Sequence, residues 1–115
     1  MKHLNYIDLE PEIPTEEGIK DVNIRWLISE KDGAKNFAMR LFEVQPGGHT
    51  PWHNHEWEHE MFVLQGKGVA RSEDGEIKFK HGDAFFVEPW EWHNFINTGQ
   101  DIVKFLCMIP YLKKR

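Results

Sequence analysis

The stretch GGHTPWHNHEWEHEMFVLQG, residues 47–66, carries most of the structural information in this chain. Besides His49, it places a cluster of three histidines, at positions 53, 55 and 59, between its terminal glycines. Residues two apart on a β-strand point to the same face of the sheet, so His53 and His55 can reach one point. His59 follows a break at Glu56–Glu58, which in this interpretation carries the chain onto the next strand.

A fourth histidine stands in a second stretch, HGDAFFVEPWEWHNFIN, residues 81–97. There His93 follows a short strand that begins just after Gly82. Neutral imidazole rings that converge in a half-buried pocket are suitable ligands for manganese, iron, nickel, copper or zinc. The two stretches together indicate a site for a divalent transition metal.

The rest of the chain is typical of an all-β domain. Short apolar or alternating runs recur between Gly, Pro, Asn and Asp, and no segment shows a sustained helical period. Asp74-Gly75 favours a tight hairpin because these residues readily adopt a positive φ, and further breaks fall at 46–48, 66–68 and 81–83. The predicted strands are Val22–Ile28, Phe37–Val44, His59–Gln65, Val69–Ser72, Glu76–Lys80, Ala84–Val87, His93–Asn97 and Ile102–Ile109, with shorter extended pieces at Asn5–Leu9 and His49–His55.

Composition limits the class of protein. The chain has 115 residues and a formal net charge of -5, so it fits one domain and offers no basic surface for nucleic acid. Its apolar runs fall short of the roughly 20 residues of a membrane helix, and acidic residues interrupt the N-terminus too early for a signal peptide. The single cysteine, Cys107, excludes an intrachain disulfide and fits a reducing compartment. We therefore predict a cytoplasmic protein that binds neither nucleic acid nor membrane.

The chain divides into two unequal parts on the same grounds. Residues 1–20 are polar and contain proline, so we expect a peripheral N-terminal arm. Residues 21–115 carry the predicted strands of the barrel. Many short strands in a compact chain predict a sandwich or a closed barrel, which removes exposed sheet edges.

The two histidine stretches resemble the paired motifs of the cupin superfamily. The first motif is a glycine, five residues, His-x-His, three or four residues, a glutamate, six residues and a glycine; the second is a glycine, a histidine eleven positions later and an asparagine four beyond that. The resemblance spans about residues 37–110 and implies a small single-domain cupin of the cupin_2 type. Its fold would be a double-stranded β-helix, a jelly-roll-like antiparallel β-barrel. The matching residues are Gly47, His53, His55, Gly66, Gly82, His93 and Asn97.

One position departs from the family pattern. Counted back from Gly66, His59 stands where the family has its glutamate ligand, and Glu60 follows it. His59 shares strand parity with Met61 and Val63, whereas Glu60 alternates with them, so we assign His59 to the metal and keep Glu60 as the alternative that joins or replaces it. The resemblance is then to a four-histidine subgroup, with Mn(II) as the expected ion and Fe(II), Zn(II), Ni(II) and Cu(II) as alternatives. The predicted ligands are His53, His55, His59 and His93.

Five residues are candidates for a substrate pocket beside this site. Arg40 interrupts an apolar strand; facing outward it is a solvated charge, and facing inward it is suited to clamp a carboxylate. Trp52 is one of four tryptophans that flank the ligands; the others are at positions 57, 90 and 92. These tryptophans form either core or dimer contacts, or an aromatic rim around the site. The resemblance to cupin barrels implies that Phe105, Cys107 and Ile109 face inward from the last strand.

Three functions stay open at this level, because the fold alone supports many chemistries. Four imidazoles on a six-coordinate ion leave two positions for substrate, which favours a metal-dependent oxidoreductase of dioxygenase type acting on a small organic molecule. The alternatives are a non-catalytic module that binds metal and a small ligand, and a metal-dependent isomerase or hydrolase. The catalytic residues are not identified by the sequence. The resemblance further implies a homodimer.

Overall fold

The computed structural model describes residues 1–111 and consists almost entirely of β-strands. Within that range the helical segments are two short 3-10 turns, Tyr6–Asp8 and Glu30–Asp32. No helix among these residues is long and apolar enough to cross a membrane. The strands are β1 (Lys20–Ile28), β2 (Phe37–His49), β3 (His59–Gln65), β4 (Lys67–Ser72), β5 (Gly75–Lys80), β6 (Ala84–Val87), β7 (His93–Asn97) and β8 (Val103–Pro110).

All eight strands form one curled antiparallel sheet. The order across it is β5-β4-β7-β2-β8-β3-β6, and β1 adds to the free side of β2. Strands β2 and β3, which follow each other in the chain, are separated in the sheet by β8, whereas β1 pairs with β2 and β4 pairs with β5. This arrangement confirms the predicted all-β antiparallel barrel class.

Strand β2 links the two sides of the sheet. It is 13 residues long and pairs with β1 and β8 through its first half, whereas its last residue, His49, pairs with Ile96 of β7. The strand bends at Gly47, whose φ of +80° is readily accessible to glycine. The predicted break at 46–48 is therefore a bend within one strand, because the backbone resumes pairing beyond it.

The predictions for the other elements differ from the structure at two places. Asn5–Leu9 is not an extended piece but a 3-10 turn, because the Asn5 side chain accepts a hydrogen bond from the backbone N–H of Ile7 and caps the turn. His49 belongs to β2, and beyond it only His53 makes a strand-like pairing, with His93. The predicted strand Phe37–Val44 ends five residues before the observed end of β2 at His49, and the other predicted strands lie within one or two residues of the observed ones.

The core fills the concave side of the sheet. Phe42 and Phe105 stack with ring centroids 4.9 Å apart, and Phe95 lies 5.6 Å from Phe105. Val44 of β2 and Val63 of β3 are 1% exposed, as expected for inward positions on a strand. Burial of these large side chains supplies the main stabilisation of the barrel.

Residues 1–19 lie outside the strands and pack against β1. The Arg25 guanidinium donates hydrogen bonds of 2.9 Å to the carbonyl oxygens of Tyr6 and Leu9 and pairs with Glu43 at 2.7 Å. β1 begins at Lys20, one residue before the proposed domain boundary. The last four residues of the proposed 21–115 domain, 112–115, lie outside the described residues.

Gly68 allows β4 and β7 to approach each other, which leads to a stability prediction. A Cβ at this position would lie 2.1 Å from the carbonyl oxygen of Ile96 and 2.8 Å from the Phe79 ring. We expect Gly68→Ala to lower the free energy of unfolding by about 1–3 kcal/mol or more, because the neighbouring strand must move. Urea denaturation of the metal-free protein measures this change.

Gly99→Ala is the matched control for this substitution. A Cβ at Gly99 would lie 3.2 Å from the flexible Lys67 side chain and 3.6 Å from Asn97 Oδ1, which is an ordinary contact, so the unfolding midpoint of Gly99→Ala should stay close to the parent value. Equal midpoints for the two variants would contradict the close packing of β4 against β7.

Candidate metal centre

Four histidine side chains meet at one end of the concave face. His59 begins β3, His93 begins β7, and His53 and His55 lie on the connection between β2 and β3. Reciprocal backbone hydrogen bonds of 3.3 and 3.0 Å join His53 to His93 and bring the two motifs together. The ring centroids of His93 lie 5.0–5.2 Å from those of the other three histidines.

The ring nitrogens of this cluster are spaced as a metal site requires. One ligand nitrogen from each of His53, His55 and His93 lies within 4.8 Å of the others. His59 joins this group through its Nε2, which lies 3.3 Å from Nε2 of His93. The structure thus brings all four predicted ligands together.

Each histidine is oriented by a partner at its other ring nitrogen, Nδ1. Nδ1 of His55 lies 2.8 Å from the carbonyl oxygen of Trp57, and Nδ1 of His93 lies 2.7 Å from that of Glu91. Nδ1 of His53 faces Glu16 Oε2 at 2.7 Å, and Nδ1 of His59 faces Cys107 Sγ at 3.0 Å. Outer partners of this kind are typical of metal-binding histidines, because they fix the ring and its tautomer.

These partners determine which nitrogen is free to bind a cation. A carbonyl oxygen can only accept, so His55 and His93 carry their proton on Nδ1 and present the lone pair of Nε2. The Nε2 atoms of His59 and His93 face each other, and that contact requires a shared proton or a cation between them. The four residues therefore fit a divalent metal ion.

Burial favours the neutral form of three of the four imidazoles. It lowers the pKa of His59 to about 2, with a further contribution from the neighbouring His93. Burial likewise lowers the pKa of His93 to about 4 and lowers the pKa of His55. These three histidines are consequently held in the deprotonated form, which is the form that binds metal.

The histidines form one wall of a cavity of about 150 Å³. Phe42, Met61, Phe95 and Phe105 supply apolar walls, and Arg40 and Cys107 supply polar atoms. Three predicted pocket residues, Arg40, Phe105 and Cys107, thus line the cavity. Trp57 also lines it and stacks on His55, with centroids 4.4 Å apart and planes 3° apart.

Arg40 faces the cavity and is held there by its neighbours. Its Nη2 donates to Cys107 Sγ at 3.1 Å, and its guanidinium lies 4.8 Å from the centroid of Phe42. Its Nε is buried and has no hydrogen-bond partner among residues 1–111. A half-buried guanidinium whose Nε is buried and unpaired within this range is suited to an anionic oxygen.

The other two predicted pocket residues lie elsewhere. Trp52 is 41% exposed, stacks on Trp92 with centroids 6.0 Å apart and lies outside the cavity wall. Ile109 packs against the core and pairs with Ala38, but it does not line the cavity. Glu60 is exposed on the outer face of β3, as strand alternation requires, so it does not share the cavity with His59.

Glu16 was not predicted as a site residue. This residue lies in the N-terminal segment and lines the cavity beside His53. It is far from both histidine motifs along the chain, and nothing in its local sequence marks it as a site residue.

Comparison with known proteins agrees with this geometry. The sequence profile of the family described as "Cupin domain" matches residues 40–109, more than half of the chain. The chain belongs to the cupin family. The matched region of this cupin includes all four histidines and the three predicted residues that line the cavity.

Three relatives show the range of functions among similar proteins. The crystal structure of the polyketide cyclase RemF from Streptomyces resistomycificus is 38% identical, covers 96% of this chain and 79% of that chain, and superposes with a TM-score of 0.90. An oxalate-binding protein from Thermotoga maritima is 34% identical over 83% of this chain and 80% of its own length. Gentisate 1,2 dioxygenase 1 from Aquipseudomonas alcaligenes is 32% identical over 70% of this chain.

Some curated relatives are much longer than the region they share with this cupin. The chain spans 46% of one from Rhodospirillum rubrum and 25% of the gentisate dioxygenase. The shared region is therefore one part of those proteins.

The lowered pKa of His59 predicts a pH-dependent stability of the metal-free protein. In the unfolded chain this imidazole binds a proton below about pH 6.5, whereas in the folded protein it does so only near pH 2. The unfolded state then binds more protons, so the free energy of unfolding should fall as pH is lowered from 7 to 4. His59→Gln should reduce this slope in urea denaturation series.

His81→Gln is the control, because His81 is exposed and lies outside the cavity. Its slope should match that of the parent protein. Identical slopes for His59→Gln and the parent protein would show that burial does not hold His59 neutral.

Proposed function

We propose that His53, His55, His59 and His93 bind one divalent metal ion and that the protein is a metal-dependent oxidoreductase of dioxygenase type. The observation that carries this proposal is the convergence of four imidazoles whose Nδ1 atoms are already engaged, at the wall of a largely apolar cavity. Mn(II) is the proposed ion, and Fe(II), Zn(II), Ni(II) and Cu(II) are alternatives, since imidazole ligands suit all of them.

The bound ion would supply Lewis-acid or redox chemistry to a substrate oxygen, and four neutral ligands would leave its positive charge uncompensated. The residues of the chain then have separate tasks. The aromatic walls formed by Phe42, Phe95 and Phe105 exclude water and hold an apolar or aromatic body. Arg40 offers its guanidinium, whose Nε is buried and unpaired within the described part of the chain, to an anionic group of the same molecule. The proposed substrate is therefore a small organic anion.

The relatives support parts of this proposal. A gentisate dioxygenase is an oxygen-dependent enzyme by name, and an oxalate-binding protein by name binds a small dianion. Both names fit a cavity that combines a proposed cation with the Arg40 guanidinium. A small carboxylate is the element that these two names share with the proposed substrate.

A second candidate is metal-assisted chemistry without oxygen, such as isomerisation or hydrolysis. The 38% identity to a structure described as a polyketide cyclase favours it, since a cyclase need not consume dioxygen. A non-catalytic ligand-binding module is a third candidate, favoured by the name of the Thermotoga maritima relative. The metal requirement separates the dioxygenase from the isomerase or hydrolase, because a redox-inactive ion supports only isomerisation or hydrolysis.

The proposed activity can be tested by oxygen uptake. Protein loaded with Mn(II) or Fe(II) should consume oxygen with small aromatic or enol carboxylates, and protein loaded with Zn(II) should not. A His53→Ala/His93→Ala double variant should lose bound metal and activity together, whereas His81→Ala should retain both. Circular dichroism spectra verify that the variants are folded.

Two results would count against this assignment. Full turnover with Zn(II) would favour isomerase or hydrolase chemistry. Stoichiometric metal in the folded double variant would show that the ion lies elsewhere.

We also propose that two copies associate through the outer face of β3 and β6. Phe62, Leu64 and Phe86 are 41–54% exposed on these paired strands and form an apolar patch. Phe62→Lys should convert the dimer to a monomer in sedimentation velocity, because it buries a charge in that contact. Ile77→Lys, at an exposed apolar residue of β5, is the control and should leave the dimer intact. A monomeric parent protein would contradict this proposal.

A further inference from the structure

Glu16 reaches the histidine cluster from outside the barrel. Its Oε2 lies 2.7 Å from Nδ1 of His53, and the two side chains are 52% and 32% exposed. Pro14 and Ile19 accompany it in lining the cavity. The N-terminal segment therefore forms part of the cavity wall beside the proposed metal ligands.

The position of Glu16 is restricted on both sides. Upstream, Glu12 and Ile24 exchange backbone hydrogen bonds of 2.7 and 2.9 Å, and the Trp26 indole donates to Glu12 at 3.0 Å. Downstream, β1 begins at Lys20. Only seven residues, 13–19, connect these two anchors, so the Glu16 carboxylate has a short range of reach. We call residues 12–19 the strap.

The partner of His53 differs from those of the other three histidines. The Nδ1 atoms of His55, His59 and His93 face groups of the barrel and its connections, namely two backbone carbonyls and the sulfur of Cys107. His53 instead depends on a carboxylate carried by the strap. A carboxylate that accepts from a ligand imidazole fixes the ring and makes it a stronger ligand.

We infer that Glu16 is a positioning residue of the metal centre and that the strap is coupled to the metal. The Glu16 carboxylate accepts a hydrogen bond from the Nδ1–H of His53 and so turns Nε2 of His53 toward the other three rings. This inference rests on the proposed metal binding. Because a cation on Nε2 makes the Nδ1–H a better donor to a carboxylate, metal binding also strengthens the contact that holds the strap. By reciprocity, the strap raises metal affinity by the same factor.

The coupling assigns a role to the strap in substrate selection. Pro14 and Ile19 contribute apolar surface to a cavity of about 150 Å³, so the strap limits the size of molecule that can reach the histidines. Metal binding then strengthens the contact that holds this part of the cavity wall in place.

Metal affinity of three single variants tests the inference. Competition of the full-length protein with a chelating dye measures affinity for Zn²⁺ and Mn²⁺. Glu16→Ala should bind both ions about 10- to 100-fold more weakly, the usual effect of removing such a partner. Glu16→Gln keeps an oxygen acceptor and should recover most of the loss. Glu17→Ala, at the exposed neighbouring carboxylate, is the matched control and should equal the parent protein.

Hydrogen exchange and thermal unfolding distinguish positioning from a purely structural role. Metal should slow amide exchange over residues 12–19 in the parent protein and in Glu17→Ala, but not in Glu16→Ala. Glu16→Ala and Glu17→Ala should have the same Tm without metal, because both side chains are exposed. A lower metal-free Tm in Glu16→Ala alone would indicate a structural role and overturn the inference.

The outcomes also separate this inference from the proposed function. Equal metal affinities of Glu16→Ala and the parent protein would overturn the role of Glu16 and leave the metal site intact. A Glu16→Gln variant as weak as Glu16→Ala would overturn positioning by the hydrogen bond. A parent protein that binds neither ion at the histidines would overturn the proposed function, and this inference with it.

Discussion

The metal site is built on a backbone contact between His53, in the β2–β3 connection, and His93, at the start of β7. Reciprocal backbone hydrogen bonds of 3.3 and 3.0 Å hold these residues side by side, although they are forty positions apart in the chain. The contact places the β2–β3 connection over the start of β7. Because each ring is also held at Nδ1, the Nε2 atoms have little freedom except to face one another. The proposed metal affinity therefore arises from backbone pairing and outer hydrogen bonds together.

The apolar side chains on the concave face of the sheet keep the buried histidines uncharged. Stacked and tilted rings of Phe42, Phe95 and Phe105 fill the space below the histidines and lower the dielectric around them. That burial keeps His59 and His93 uncharged, and it makes the Arg40 guanidinium the main fixed positive charge facing the cavity. A small anion would consequently meet an apolar pocket with positive charge on two sides once metal is bound.

Much of the fold and site could be predicted from short-range patterns. Strand alternation predicted His59 inward and Glu60 outward, as the structure has them, and the family resemblance predicted Phe105 and Cys107 inward, where both line the cavity. Trp52 lies in an irregular connection where no period of two applies, and Ile109 packs against the core without lining the cavity. The bend at Gly47 was predicted as a break because the sequence shows a permissive glycine but not the strand that pairs beyond it. Glu16 was missed because its role depends on how the N-terminal segment crosses the cavity.

The central claim is that four imidazoles share one metal ion, and X-ray absorption spectroscopy of the metal-loaded protein tests it most directly. The spectrum of a zinc- or manganese-loaded sample should show four nitrogen ligands at about 2.0–2.2 Å, with the multiple-scattering pattern of imidazole. That pattern should fall to three imidazoles in a folded His59→Ala variant. A spectrum dominated by carboxylate or water oxygens, with two imidazoles or fewer, would contradict the account.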